Sequence, residues 1–193
     1  MARVGFKKAK YNQIESGKYK TLTDSKVPEF EKVIDEKFAP EYNSAELYAN
    51  DALAECDYSF KKGTLSLTIA DDKDELIAEL FGNDKAEGGE VTSTIADSAP
   101  EFGYGHIIPK IVGGVKKFKV EFFPRVKFTE VSGDNKTRAE SVEFGTTSLT
   151  AVVYPIDTPI NGMASGVWEK HNTFATLAEA ETYLDGLLTP TKA

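Results

Sequence analysis

The sequence predicts a mainly β protein of the α+β class, with its strands arranged as a β-sandwich or a partly open barrel. One α-helix is expected to flank the sheet, and a second, short helix is expected near the C-terminus. Three observations support this fold. Residues 101–128 have the pattern of a long hairpin, other segments alternate apolar and polar residues with a period of two, and only residues 72–81 and the segment after Thr176 change to a helical period.

The hairpin pattern has aromatic and β-branched residues in both arms. Gly113 and Gly114 lie between the arms, and glycine adopts the positive φ angles of a two-residue turn without steric cost. Pro124 is expected to end the regular ladder or to introduce a bulge. In the second arm the period of two places Phe118, Val120 and Phe122 on one face and Lys117, Lys119 and Glu121 on the other.

Residues 1–40 mix charges with prolines and show no sustained period. They are therefore predicted to be an N-terminal arm or lead-in, followed by a single domain over residues 41–190. Residues 42–49 alternate as a half-exposed strand. Residues 57–69 alternate in the same way, and Gly63 is predicted to mark a kink or bulge.

The first helix is predicted over residues 72–81, where Asp72 and Glu75 are spaced as a capping pair. Gly82 is expected to end it. Residues 82–100 contain three glycines and end at Pro100, which predicts a long mobile loop.

The second helix is predicted to begin at Thr176, which forms a capping box with Glu179. Leu177, Ala180 and Leu184 form its packing stripe, and Gly186 and Pro190 are expected to end it. Between the hairpin and this helix, residues 129–140 are predicted to connect two antiparallel strands at a rim, and a bulge is predicted near Gly145.

Composition sets bounds on the functional classes. With 193 residues and 40% hydrophobic content, the chain is long enough to bury the core of one domain. No apolar stretch approaches the roughly 18 to 20 residues of a membrane helix, so a soluble protein is expected. The single cysteine, Cys56, cannot form an internal disulfide. The net charge of −8 argues against a protein that grips nucleic acid, and it leaves open whether the acidity repels DNA or only aids solubility.

No catalytic, cofactor or metal site is predicted, and the chain is not expected to be an enzyme. His106 and His171 lie in separate predicted strands without a metal-binding spacing. Gly103 and Gly105 lack the third glycine and the helix of a dinucleotide fingerprint. The acidic residues 71–75 lack the spacing of a calcium loop and suit a helix start instead.

Lysines form two clusters, at residues 61–62 and at residues 116–119. With the neighbouring aromatic residues they resemble a nucleic-acid surface, but the excess of acidic residues argues against that interpretation. Two alternatives remain open. The lysines contact acidic residues of a neighbouring subunit, or they are solvated edge residues that block wrong pairing.

Four sequence blocks, in this order and spacing, closely resemble the major tail proteins of long-tailed, siphovirus-type bacteriophages. They are residues 53–76 (LAECDYSFKKGTLSLTIADDKDEL), 102–128, 141–155 (SVEFGTTSLTAVVYP) and 166–185 (GVWEKHNTFATLAEAETYLD). The resemblance implies a tail-tube fold and a structural virion protein, assembled in the host cytoplasm. Six subunits would form a ring, and stacked rings would form a hollow tail tube through which DNA passes without specific binding.

The same resemblance implies contacts with the tape measure, tail terminator and distal tail proteins, and none with a membrane. The polar strand faces are the expected channel lining: Glu46, Ser66, Thr68, Lys117, Lys119 and Glu121. The long loop is expected to contact the neighbouring ring through Asp84, Glu87, Glu90 and Asp97.

Three alternatives remain open at this point. A distal-tail or baseplate ring protein would share the fold without polymerising, and a type VI secretion tube protein would carry protein instead of DNA. A carbohydrate-binding or adhesion module would need an exposed aromatic platform, for which Trp168 and Tyr154 are the candidates.

Overall fold

The computed structural model describes residues 2–3, 5–22, 26–49, 52–70, 73–134 and 145–190. Strands dominate this part of the chain, and two helices accompany them, so the prediction of a mainly β, α+β fold is confirmed. The elements are, in order, β1 (Ala2–Arg3), β2 (Lys8–Glu15), β3 (Lys18–Tyr19), β4 (Val33–Ala49), β5 (Ala52–Ile69), α1 (Asp74–Phe81), β6 (Asp84–Lys85), β7 (Val91–Thr92), β8 (Glu101–Val112), β9 (Val115–Asp134), β10 (Thr146–Val153), β11 (Lys170–Phe174) and α2 (Leu177–Leu188).

Nine of the described strands form one antiparallel sheet. Its order is β3-β2-β8-β9-β10-β5-β4, with β1 paired to β8 and β11 paired to β9. β6 and β7 form a separate small hairpin. No described strand joins β3 to β4, so the sheet is open. Of the two predicted arrangements, the structure therefore agrees with a partly open barrel rather than with a sandwich of two sheets.

The β8–β9 hairpin has the predicted form. Gly113 and Gly114 have φ angles of 58° and 80°, as a tight two-residue turn requires. The predicted irregularity at Pro124 is also present, because Tyr104 pairs with Phe123 whereas Phe102 pairs with Val126. The extra residue on β9 is a β-bulge.

The predicted N-terminal arm over residues 1–40 is wrong where β2 pairs with β8 inside the sheet. Ala9 and Tyr11 of β2 belong to the hydrophobic core. Lys10, between them, is buried and forms an ion pair with Asp185 of α2. The charge of Lys10 makes this strand difficult to recognise in the sequence. In the fold, Asp185 of a helix near the other end of the chain neutralises it.

β4 and β5 pair along almost their whole length, and β4 begins well before the predicted strand of residues 42–49. Pro40 lies inside β4, which is tolerated because β4 is an edge strand. The predicted kink or bulge near Gly63 is present two residues earlier: Glu41 pairs with Lys62 and Tyr42 with Phe60, so Lys61 of β5 is the extra residue. Glycine is needed at position 63 for another reason: a Cβ there would overlap the Phe38 ring.

Two hydrophobic clusters lie on opposite sides of the sheet. On one side, here called the inner face, Phe102, Tyr104 and Phe123 pack with Leu80 of α1. On the other side, the outer face, α2 covers β8 and β9. The outer cluster contains Ile107, Val120, Phe122, Ala180, Leu184 and Leu188. Full burial of each large apolar side chain contributes about 1.5–3 kcal/mol, so both helices are held by the sheet.

The first helix differs from its prediction at the N-terminus. α1 begins at Asp74, and its N-cap residue, Lys73, makes no side-chain cap hydrogen bond. Asp72, predicted to be half of a capping pair, lies outside the described residues, and Glu75 binds Lys85 instead. The predicted end of α1 is confirmed, because Gly82 has a φ of 71° in the left-handed region.

The capping box of α2 is confirmed. The Thr176 side chain accepts a hydrogen bond from the Glu179 N–H, and the Glu179 side chain accepts one from the Thr176 N–H. α2 continues past Gly186, where its end was predicted, to Leu188, and it ends before Pro190 as predicted. The predicted bulge near Gly145 adjoins residues outside the described part, and β10 itself pairs regularly with β9 from Thr146 until the register shifts between Thr150 and Ala151. Residues 135–144 of the predicted rim lie outside the described part.

We expect Gly186→Ala to stabilise the protein by about 0.5–1 kcal/mol, because glycine inside a helix is less favourable than alanine by this amount. A Cβ at position 186 meets no heavy atom within 4 Å. The measurement is the free energy of unfolding in urea. Gly82→Ala is the matched comparison and is expected to destabilise, since its Cβ would lie 2.5 Å from the Ser98 carbonyl oxygen in a left-handed backbone. A destabilising Gly186→Ala would contradict a helix that runs through this residue.

Candidate assembly surfaces and a buried charged network

The residues predicted to line a channel divide between the two faces of the sheet. Ser66 and Thr68 alternate with core leucines of β5 and lie on the outer face. Lys119 and Glu121 share the inner face of β9 with Phe123. The fold therefore does not bring these side chains onto one surface.

The remaining two predicted lining residues lie at the periphery. Glu46 is exposed in the half of the β4–β5 hairpin nearer its turn, where it pairs in register with Cys56. Lys117 is half-buried near the start of β9. That any of the six lines a channel stays a prediction.

Ser66 and Thr68 belong to a larger polar surface, the hydroxyl face, which Ser148 and Thr150 of β10 continue. Thr150 pairs in register with Ser66, and Ser148 pairs with Thr68. Ser66 and Ser148 are exposed, and the two threonines are half-buried. This face is a hydroxyl-rich strip on the same side of the sheet as α2. Its in-register neighbours are charged: Asp35 and Lys37 of β4 lie beside Thr68 and Ser66, and Glu130 of β9 lies beside Thr150.

The long strand β4 forms one border of the sheet. It pairs with β5 on one side, and no described strand pairs with its other side. We call this border the free edge. An edge of this length exposes backbone donors and acceptors that can pair with a strand of another chain.

The predicted contact loop, residues 82–100, has more local structure than its composition suggests. β6 and β7 pair within it, and Asn83 donates a hydrogen bond to Ser93. Asp97 accepts hydrogen bonds from the backbone N–H and the hydroxyl of Thr94, which lower its pKa. The other predicted contact residues, Asp84, Glu87 and Glu90, are exposed.

A buried charged network connects β4 to β8 and β9 across the inner face. The imidazole of His106 lies between two carboxylates: its Nδ1 is 3.0 Å from Oε1 of Glu36, and its Nε2 is 3.2 Å from Oε2 of Glu121. The Nδ1 contact is close without being aligned as a hydrogen bond. Tyr104 donates to Glu36 Oε2 at 2.8 Å, and Lys119 binds Glu121. Because three strands separate β4 from β8 in the sheet order, these contacts show that the sheet is strongly curled.

The charges of the network shift one another's pKa values. Burial by itself would lower the pKa of His106, but Glu121 and Glu36 outweigh it and raise the pKa to about 9. Burial would raise the pKa of Glu121, yet His106 and Lys119 hold it well below its usual range. Burial and the neighbouring Glu36 raise the pKa of Tyr104. The network therefore carries a protonated His106 at neutral pH.

A cleft of about 490 Å³ opens above this network. β4 forms one wall, and β8 and β9 form the other. Its floor holds His106, Glu36 and Glu121, and aromatic side chains border it. Each carboxylate contacts the imidazole of His106, which makes the network a link between strands rather than an open set of reactive groups.

Sequence reasoning did not predict this network. The signal available was His106 itself, a single titratable residue within an apolar strand, which needs a buried partner. The partner Glu36 could not be identified, because it lies in the segment predicted to be an arm. His171 is exposed and contacts Glu169 at 3.3 Å, so the structure does not bring the two histidines together. Among the described residues, no group of three His, Cys, Asp or Glu side chains is placed to hold a metal ion.

The two candidate residues for a glycan platform are engaged by side chains of the same chain. Trp168 stacks on Phe60, with ring centroids 4.0 Å apart and planes within 7°. The guanidinium of Arg125 lies 5.9 Å from the Tyr154 ring centroid. These contacts give no support to a carbohydrate-binding module.

Comparison with known protein families found no matching family model, and comparison with curated proteins found no match. In the part of the chain that the structure describes, neither helix is long and apolar enough to span a membrane.

Proposed function

We propose that this protein is a structural subunit of a bacteriophage tail, the major tail tube protein, which forms hexameric rings that stack into a tube for DNA. The proposal places it in the virion, with tape measure, tail terminator and distal tail proteins as partners. The observation that carries the proposal is the free edge in an open sheet. The sequence resemblance supplies the identity of the assembly.

The free edge supports a ring for a physical reason. An unpaired strand of this length is a hazard to a soluble monomer unless a partner covers it. Closing a sheet across subunits removes the edges, and a ring of six would join six open sheets into one barrel. About 16–18 strands already enclose an aqueous channel, so a barrel with a few strands from each of six subunits is wide enough for a duplex.

The hydroxyl face supports the same proposal. A DNA duplex carries about one negative charge per 1.7 Å of its axis, and a wall of lysines would retain it. Ser66, Thr68, Ser148 and Thr150 carry no charge. The exposed charged residues beside them, Asp35, Lys37 and Glu130, include only one lysine, so a channel lined by this face would not present a wall of lysines to DNA. Within the predicted lining set, Ser66 and Thr68 are therefore the residues that we retain for the channel wall.

The test is negative-stain electron microscopy of the purified protein over a concentration series, together with light scattering after size-exclusion chromatography. We expect six-fold rings or hollow rods. Rings that never stack would favour a distal-tail or baseplate ring protein instead. A protein that remains monomeric at every concentration, also when mixed with a tail-tip initiator complex, would contradict the proposal.

Deleting residues 84–97 is expected to leave a folded subunit that no longer forms tubes. The ends left by the deletion are close together, because a Cβ on Gly82 would lie 2.5 Å from the Ser98 carbonyl oxygen. Circular dichroism and the unfolding midpoint test the fold, and microscopy tests assembly. The matched control replaces the same residues by a glycine-serine segment of equal length, which separates loop length from side-chain contacts. Normal tubes from the deletion variant would show that the loop makes no essential contact.

A further inference from the structure

We propose that the hairpin end, residues 110–117 at the turn between β8 and β9, is the docking surface for the acidic loop, residues 83–97, of a second copy of this chain. The inference rests on the proposed function and deepens it, because it names the surface that receives the loop.

The hairpin end combines exposed apolar and basic side chains. Ile111 is 45% exposed and Val115 is 59% exposed, on either side of the glycine turn. Residues 105–119 contain four lysines and no acidic residue. Lys116 is exposed, with its ammonium 5.6 Å from the Phe118 ring centroid, and Lys117 is half-buried beside it. A partner for this surface needs an apolar contact and negative charge.

The acidic loop has the complementary character. Residues 83–97 contain four acidic residues and one lysine, and that lysine, Lys85, binds Glu75 of α1. Asp84, Glu87 and Glu90 are exposed, and Ile95 is fully exposed. The loop therefore presents an apolar side chain among carboxylates, as the hairpin end requires.

The two surfaces lie at opposite ends of β9. The hairpin end includes the first residues of β9, whereas Asp97 lines a groove together with Lys127 and Val131 near its far end. About a dozen residues separate Val115 from Lys127, which corresponds to roughly 40 Å of strand. The loop and the hairpin end of one subunit therefore do not meet. A contact between them joins unlike surfaces of two copies, and repetition of such a contact builds an open filament.

The ionic part of this contact lies at the surface, so it is screened by salt, with a Debye length of about 10 Å at 0.1 M. The apolar part of the contact, which salt does not weaken, comes from Ile95, Ile111 and Val115. We expect stacking to become weaker with rising ionic strength without disappearing.

The test is reciprocal charge reversal in the full-length chain. One variant carries Lys116→Glu with Lys117→Glu, and the other carries Glu87→Lys with Glu90→Lys. Each alone presents like charges at both surfaces, so we expect the sedimentable fraction to fall at least tenfold. In an equimolar mixture every contact between the two variants joins opposite charges, and we expect assembly to return with the variants alternating. Wild-type assembly by either variant, or a mixture no better than its components, would overturn the inference.

A control variant separates local pairing from net charge. Glu15→Lys with Glu130→Lys has the same net charge as the loop variant, with the changes placed on β2 and β9 outside the acidic loop. Tested alone, it is expected to assemble as the wild-type protein does, because its hairpin end and acidic loop are unchanged. A loss of assembly as large as that of the loop variant would show a general charge effect and overturn the inference.

Disulfide cross-linking distinguishes this inference from the proposed function. In a Cys56→Ser background, Ile95→Cys and Val115→Cys copies are mixed and oxidised, and we expect mixed dimers in preference to either homodimer. Mixed dimers without rings or tubes in the wild-type protein would support the docking surface and contradict the proposed function. Hollow tubes that are insensitive to charge reversal and give no mixed dimers would support the proposed function and contradict the docking surface.

Discussion

Replacing His106 by leucine is expected to destabilise the protein by about 3–5 kcal/mol. The side chain is buried between Glu36 and Glu121, which are themselves almost completely buried. Removing the cation leaves two carboxylates in a low-dielectric interior without their shared partner, and breaking a buried ion pair in this way is strongly destabilising. The measurement is the free energy of unfolding in urea at pH 7.

His171→Leu is the matched control, because His171 is exposed on β11. We expect it to change the stability by no more than about 0.5 kcal/mol. A loss below about 1 kcal/mol for His106→Leu would show that the network does not hold β4 against β8 and β9. A second readout is near-ultraviolet circular dichroism, which should report altered packing of Tyr104 and Phe123 in the His106 variant only.

The network also predicts a pH dependence. In the unfolded chain the pKa of histidine is about 6.5, and in the folded protein that of His106 is raised to about 9. The stabilisation from the protonated imidazole is therefore complete below about pH 6.5, declines as the pH rises, and is lost above about pH 9. The slope in this window is on the order of 1 kcal/mol per pH unit. Urea unfolding at several pH values from 6 to 9.5 measures it, and subtracting the profile of His106→Leu removes the contributions of other groups.

Leu184→Ala is expected to destabilise the protein by about 2–5 kcal/mol, the range for a fully buried leucine. Leu184 anchors α2 to the outer face, directly over Gly105 of β8. Leu187→Ala in the same helix is the control, because its side chain is only half-buried and a smaller loss is expected. Equal losses for the two variants would contradict the description of Leu184 as the anchor.

The close contact between Gly105 and Leu184 can also be tested by a change on the β8 side. A Cβ at position 105 would overlap Leu184 Cδ1, so Gly105→Ala alone is expected to destabilise by about 1–3 kcal/mol. In the Leu184→Ala background the closest contact is removed, whereas contacts of 3.1 Å with Phe122 Cδ2 and 3.2 Å with the Glu121 carbonyl oxygen remain. Part of that loss should therefore disappear. A double-mutant cycle measures the coupling, and strict additivity would contradict the overlap.

Several features followed from local sequence and were predicted correctly. Gly113 and Gly114 are between two β-forming arms, and the turn conformation depends on these two residues alone. Thr176 and Glu179 are three residues apart, which suffices for the capping box. The end of α1 at Gly82 was also predictable from local sequence, because a residue in the left-handed conformation favours glycine wherever the helix packs.

Predictions that depended on distant neighbours failed or were not made. β2 is a strand because β8 lies beside it and Asp185 neutralises Lys10, and neither fact is visible in residues 1–40. Gly186 resembles a helix end, but packing of Leu188 extends α2 past it. The predicted channel residues divide between two faces because the apolar residues of β5 pack in the inner cluster, whereas Val120 and Phe122 of β9 pack under α2 on the outer face.

Sequence alone was thus sufficient for the strand-rich class, the β8–β9 hairpin and the helix caps, because turn geometry, side-chain alternation and capping are set by residues within a few positions of one another. The strand order, the free edge of β4 and the placement of His106 between Glu36 and Glu121 were decided only in the tertiary structure. They depend on which of many chemically similar strands pair, and that choice is made by the burial of side chains from distant parts of the chain and the compensation of their charges.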